Sequence, residues 1–194
     1  PAYAGLGGGS ADVAALLRCL RRLYAAGMPD EALRAIGLIV GSDVPFCVSG
    51  GTSLAEGRGE RLTDLPPLPV CQIVLCKPDF GISTPELFVL ADGAVLSKRP
   101  DIAGLTAALQ GGELTGVTDR LCNVFEEFLP ERYREVFRIK EILLAHGALN
   151  AAMSGSGPTV YGIFESAAEA QRAAEVLKKS YQQTYVAKPV KKLV

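Results

Sequence analysis

Pro1-Ala-Tyr-Ala-Gly-Leu-Gly-Gly-Gly-Ser-Ala-Asp12 opens the chain, and the rest is read outward from it. Gly5, Gly7, Gly8 and Gly9 crowd together, and a helical run follows at once. Glycine accepts φ > 0 and lets a polyanion approach the backbone without meeting a Cβ. The helix behind it offers unpaired N–H groups and the positive end of its dipole to whatever occupies the loop. That combination is a phosphate cradle. It is not a Walker A loop, because no Lys-Ser/Thr pair follows the glycines. A Rossmann fingerprint fits poorly, since Ser10 stands where the third glycine belongs. Taken alone, the loop also reads as a glycine-rich turn with no ligand.

Two further segments weigh against that plain turn. One is Gly41-Ser-Asp-Val-Pro-Phe-Cys-Val-Ser-Gly-Gly-Thr52, running on to Glu56-Gly-Arg-Gly-Glu60. The other is Ala152-Met-Ser-Gly-Ser-Gly-Pro-Thr-Val-Tyr161. With residues 1–12 they resemble, in the right order and over essentially the whole chain, the GHMP kinase superfamily. Its second and third motifs are a Gly-Leu-Gly-Gly-Ser-type loop and a Gly-Ser-Gly-Pro-type loop.

The resemblance implies an α+β, two-domain GHMP kinase fold. Residues 1–66 would be the remainder of an S5-like, ATP-binding N-terminal domain, and residues 67–194 a ferredoxin-like C-terminal domain. The family fold begins with a β-rich segment bearing the first motif and a catalytic lysine. The N-terminal part of the first domain is therefore expected to be missing here, and the chain alone to be inactive. Helices at 11–40 would then expose Val13, Leu16 and Leu20. Either another chain supplies the missing segment, or the chain self-associates through that face.

Within the superfamily, Gly41-Ser-Asp-Val-Pro-Phe46 followed by Gly50-Gly-Thr52 and Gly57-Arg-Gly-Glu60 resembles the kinases of one substrate, and Gly57–Glu60 with Ser83-Thr-Pro-Glu-Leu-Phe88 argues against the others. The expected reaction is ATP-dependent phosphorylation of the 2-hydroxyl of 4-diphosphocytidyl-2-C-methyl-D-erythritol, in non-mevalonate isoprenoid biosynthesis. The alternatives are a GHMP kinase for mevalonate, homoserine or a sugar, and a non-catalytic nucleotide-binding fragment. ATP, with Mg2+ as its substrate complex and no tightly bound cofactor, would lie on Pro1, Ala2, Tyr3, Ala4, Gly5, Leu6, Gly7, Gly8, Gly9, Ser10 and Ala11. Asp43 matches the family's catalytic aspartate. Phosphoryl transfer needs an oriented nucleophile and charge stabilisation more than covalent help, and a carboxylate can accept the hydroxyl proton. Without the resemblance, Asp43 reads as a turn cap. Gly155, Ser156 and Gly157 match the third motif and would wall the active site. Pro85 and Phe88 match the region that stacks the cytosine ring, although Phe88 reads equally as a core aromatic. Asn123, in Leu121-Cys-Asn-Val-Phe-Glu126, resembles a recurrent Asn-Asp-Phe-Glu-like family segment with Val124 replacing the acid, and carries no assigned role.

Composition narrows the classes. Lys+Arg of 20 against Asp+Glu of 21 gives a net charge of −1, so no nucleic-acid field is implied. No apolar run approaches a membrane span, and no signal-peptide pattern opens the chain. The five cysteines form no CxxC pair and read as small buried hydrophobes in a reducing cytoplasm. His146 is the one histidine, so a His-based triad or a His-rich metal site is excluded. It reads as a residue at a helix C-terminus. The expected partner is a small-molecule substrate, with no nucleic acid and no membrane.

Periodicity predicts helices over 11–26, capped by Gly27, and over 30–40. Gly41–Thr52 reads as a buried loop or short strand. Pro66-Pro-Leu-Pro69 is the best internal boundary. Beyond it come a strand at 70–76, a helix opened by Pro85, helices at 117–129 and 131–146, and a strand at 160–164. Ser166-Ala-Ala-Glu169 is a capping box for a helix to about 180. A strand at 184–190 closes the pattern, with helices on one face of an antiparallel sheet.

Overall fold

The computed structural model describes residues 3–97 and 99–190. They fall into two compact units, Gly7–Pro67 in one and residues 3–6 with Leu68–Pro189 in the other.

The first unit holds three helices, α1 (Gly8–Tyr24), α2 (Asp30–Val40) and α3 (Val44–Ser49), and a hairpin of β1 (Thr52–Glu56) and β2 (Arg61–Leu65). Ala14, Leu33, Val44 and Val48 form its buried cluster, with Val13, Leu17, Met28 and Cys47 packed against it. α1 starts three residues earlier than its periodicity suggests and ends on Ala25, whose N–H bonds Arg21 O at 2.9 Å, not on Gly27. The predicted apolar face of α1 is divided. Val13 and Leu17 turn toward the cluster, so Val13 is half-buried, whereas Leu16, Leu20, Leu23 and Tyr24 are exposed.

Within the segment expected as a buried loop or short strand at 41–52, residues 44–49 form a helix, α3. Pro45 occupies the first turn of α3, where its missing N–H has no partner to lose, and Gly50 at φ 65° stops the helix. Burial of Val44 and Val48 outweighs the weak helix preference of β-branched residues. Arg18 of α1 donates to Cys47 O at 2.8 Å and Val48 O at 2.6 Å, satisfying carbonyls that a helix end leaves orphaned.

The second unit is an antiparallel sheet in the order β4-β5-β3-β6, built from β3 (Gln72–Lys77), β4 (Asn150–Met153), β5 (Val160–Phe164) and β6 (Gln183–Ala187). Between β3 and β4 run α4 (Thr84–Asp92), α5 (Ile102–Gly111), α6 (Leu114–Thr118) and α7 (Glu135–Ala145), and α8 (Ala167–Lys178) joins β5 to β6. That is the ferredoxin-like arrangement the sequence implies. α7 buries Val136, Ile139 and Leu143, one helical face. α8 buries Ala170, Ala173 and Ala174, small residues that let it lie close on the sheet, and anchors its last turn with Leu177. Each fully buried Leu or Phe here contributes roughly 1.5–3 kcal/mol.

One arm of the capping box forms, with Glu169 N donating to Ser166 Oγ at 3.3 Å. The helix expected at 117–129 does not form. α6 ends at Thr118, and a separate 3₁₀ turn spans Val124–Phe128, begun by Asn123. The strand expected to reach 190 ends at Ala187. α5 and β4 were not visible in the periodicity. Among the described residues no helix is long and apolar enough to cross a membrane.

Candidate functional site

α1 begins without a protein cap. Gly7, its N-cap, adopts the left-handed conformation at φ 63°, makes no side-chain capping bond, and no acidic residue lies in the first turn. An added Cβ at Gly7, Gly8 or Gly9 would meet nothing within 4 Å. The glycines therefore leave room for something other than protein, in front of a helix of 17 residues whose first N–H groups want an acceptor. That geometry suits a phosphate chain. Among the described residues no group of three or more His, Cys, Asp or Glu is placed to hold a metal ion.

In the same unit, Ser10 Oγ stands 3.8 Å from where a Cβ on Gly41 would be. The next residue, Ser42, has its carbonyl against Gly59, where a Cβ would collide with it and where φ is +106°. Arg58 N donates to Glu60 Oε2 at 2.6 Å across this turn, and such backbone bonds hold the Glu60 carboxyl below the usual range. The Gly57–Glu60 segment is thus a backing for the Gly41–Asp43 loop. Asp43 follows as the N-cap residue of α3. Its carbonyl accepts from Cys47 N at 3.0 Å, while its exposed side chain makes no capping bond. The turn-cap reading of this carboxylate therefore fails. Burial, and then the Asp43 charge, push the Cys47 thiol up.

The second unit brings the start of the glycine loop onto the third motif. Ser154 Oγ donates to Gly5 O at 2.7 Å, and Thr159 N donates to Ala4 O at 3.3 Å. Gly5 is at φ +71°, and an added Cβ would collide with Ser154 O and lie 2.7 Å from Gly157 N. Gly157 N closes the motif's own turn on Ser154 O at 2.8 Å. Gly155 and Ser156 complete that turn, and Ser156 shares a 2.7 Å hydroxyl–hydroxyl bond with Thr84. Tyr3 is held at φ 51°, above Gly81, where a Cβ would come 2.8 Å from the Tyr3 Cβ. Pro1 and Ala2 lie outside the described residues.

Pro85 is in the first turn of α4, one residue from Thr84. Phe88 is 56% exposed, so it is not a core aromatic. It stands edge-on to Phe125 at 5.3 Å, and Phe125 to Phe128 at 5.8 Å. His146 ends α7 with Nδ1 on Ile142 O at 2.8 Å, a local role.

The sequence reading left Asn123 without a part, and the structure supplies one. Its Nδ2 donates to Met153 O and to Gly155 O, both at 2.8 Å, and its Oδ1 accepts from Phe125 N at 3.0 Å. Glu126 was missed outright. Its Oε1 accepts from Met153 N at 2.7 Å, and Lys140 holds the other oxygen. Its place in the family-like segment Leu121-Cys-Asn-Val-Phe-Glu126 was the available signal.

Residues 1–51 match the GHMP kinases N terminal domain, and residues 105–183 match GHMP kinases C terminal. Over 190 residues the chain is 39% identical to the 4-diphosphocytidyl-2-C-methyl-D-erythritol kinase of Clostridium acetobutylicum, covering 98% of this chain and 68% of that relative. The chain belongs to the GHMP kinases. Its likeness to the same-named kinase of Enterococcus faecalis is 43% over 192 residues, 98% of this chain and 67% of that one. A crystal structure of 4-(cytidine 5'-diphospho)-2C-methyl-D-erythritol kinase superposes with a TM-score of 0.79 at 30% identity, over 97% of this chain and 67% of that one. Leishmania mevalonate kinase (L. major) superposes at 0.77 with 19% identity, over 95% and 66% of the two chains, and shares the fold. This GHMP kinase chain thus spans about two thirds of the relatives it matches. Its class is ATP-dependent transfer of phosphate to a small molecule.

Proposed function

We propose that this chain binds ATP on residues 1–11 and, together with a segment bearing the family's first motif and lysine, phosphorylates the 2-hydroxyl of 4-diphosphocytidyl-2-C-methyl-D-erythritol, a step of non-mevalonate isoprenoid synthesis, the chain alone remaining inactive. The observation that carries the substrate is identity of 39% and 43% to relatives whose names specify it, against 19% to the mevalonate kinase structure. The substrate hydroxyl oxygen attacks the γ-phosphorus, the bond to the β,γ-bridging oxygen breaks, and ADP leaves. Asp43 takes the hydroxyl proton, a contribution of roughly 10²–10⁴ in rate. Mg2+ arrives with ATP and spreads the charge of its β- and γ-phosphates.

Gly7–Gly9 give the phosphates room and the N–H groups of α1 face them. Gly155, Ser156 and Gly157 shape the wall behind Gly5. Phe88, with Pro85 beside it on α4, stacks the cytosine ring, worth ~1–3 kcal/mol for a base on an aromatic face. The cytoplasm is the proposed location, in keeping with Cys71 and Cys76 buried as free thiols. Self-association through the exposed residues of α1 and α2 is a further proposal, tested by sedimentation across a concentration series.

Calorimetry with ATP, followed by transfer to a panel of alcohols by the chain completed to the length of its relatives, tests the assignment, the chain alone being expected to be inactive. Phosphorylation of the cytidine-diphosphate-linked substrate in preference to mevalonate and homoserine is the expected result. Equal transfer to either of those would overturn the substrate. Binding without transfer to any alcohol would favour a non-catalytic nucleotide module, and no binding would end the kinase reading.

A further inference from the structure

We infer that Asn123 and Glu126 are positioning residues, a two-armed clamp on the third motif that fixes the seat of the glycine loop. The inference rests on the reading of that loop as an ATP cradle. Neither residue needs to touch the nucleotide.

The clamp is built from one short segment. Asn123 begins the 3₁₀ turn Val124–Phe128, and Glu126 lies in it. A carboxamide carries two N–H donors, and Asn123 donates to the carbonyls on either side of Ser154, those of Met153 and Gly155. Its oxygen is occupied as well, by Phe125 N, so its orientation is fixed. Glu126 takes the N–H of Met153, and the Lys140 ammonium holds its second oxygen. Ser154 is thereby fixed by the peptides flanking it, and its hydroxyl reaches Gly5 O. Gly5 lies so close to Ser154 that even a methyl would collide. A shift of this turn would therefore carry Gly5 with it, and the phosphate-facing glycines begin two residues later.

Asn123→Asp separates positioning from bulk stability. The carboxylate still accepts from Phe125 N, but it has no donor for the two carbonyls and repels both. Losing two neutral hydrogen bonds and gaining that repulsion is expected to weaken the seat at least tenfold. Amide hydrogen exchange of the ligand-free chain reads it directly at Ser154, Gly157 and Thr159, whose N–H groups bond Thr159 O, Ser154 O and Ala4 O.

All three amides are expected to exchange about tenfold faster in Asn123→Asp and Asn123→Ala, with Val74 and Leu75 of β3 unchanged and ATP affinity down by a similar factor. Ser166→Ala, which removes the α8 cap, lowers stability yet is expected to leave both readouts as in the parent. Unchanged exchange at the three amides in both Asn123 variants would overturn the clamp, whether or not the chain binds ATP. Faster exchange with parental ATP affinity would overturn its positioning role. A parent that binds no ATP would sink the cradle reading instead, and the exchange data alone would then judge the clamp.

Discussion

At Gly5 an added methyl would run into the Ser154 carbonyl, whereas at Gly8 it would meet nothing within 4 Å. Substitution therefore separates the two glycines by kind of damage. Gly8→Val should leave the melting midpoint near that of the parent, because the new side chain enters open space and glycine was the weaker helix former. ATP affinity, read by calorimetry, should fall at least tenfold if the β-phosphate occupies that space. An equal affinity would remove the phosphate cradle. Asp43→Asn keeps the shape of the side chain and deletes its charge. In the enzyme completed to the length of its relatives, kcat should drop by roughly 10² or more with KM for ATP little changed, and a variant with parental kcat would take Asp43 out of the mechanism.

The open glycines at the start of α1 were legible in the sequence because they advertise a local demand, a Cβ-free approach, whereas Asp43 stood out only through the family resemblance. Asn123 was not legible. Its meaning lies in carbonyls 30 and 32 residues away, and no spacing rule reaches that far.

Among the elements, α2 and α3 meet at a point set by one residue. A Cβ on Gly37 would lie 2.5 Å from Val44 Cγ1 and 3.2 Å from its Cβ. Gly37→Ala ought to stabilise α2 by ~1 kcal/mol on helix preference alone. The crowding against Val44 costs about 1–3 kcal/mol, and the packing term is expected to win. Urea unfolding of the variant should show a lower midpoint, and a higher one would refute the close approach of the two helices.

The same residues explain why α3 was misread as loop or strand. Val44, Phe46 and Val48 alternate like a strand, but the helix is imposed by what lies around it, Arg18 on its last carbonyls and a buried cluster beneath. The hairpin β1–β2 escaped notice for the opposite reason, since its residues are half-buried or exposed and show little contrast. At 117–129 a helical stripe exists, yet Asn123 spends its side chain on the third motif and on its own turn, and the helix gives way. By contrast α8 was legible from Ser166 to its last turns, because local preference, cap and burial agree there.

For the whole molecule, the alkaline limit is written in the core of the second unit. Burial pushes the Cys76 thiol from 9.0 up to about 11. Burial, and then the bond from its hydroxyl to the Glu135 carboxylate, push Tyr181 from 10.0 up to about 12. Both groups hold their protons more tightly folded than unfolded. Their stabilisation is complete below pH 9.0, where neither state has released a proton, and is lost as pH climbs through about 11 and then about 12. The denaturation midpoint should accordingly fall across that window. Cys76→Ala should flatten the earlier part of the fall, and an unchanged profile would show that the thiol takes no part.

The bond from Ser154 to Gly5 spans 149 residues of sequence. On a ribosome that distance is time. α1, α2 and α3 follow one another over residues 8–49 and can gather their small core early, while Gly5 waits for Ser154 and for the partners that hold it. Long-range closures of this kind come late and slowly. A nascent chain that has made only the first unit therefore has a glycine loop but no seat for it, and competence to hold a nucleotide is acquired only once the third motif and its partners have emerged.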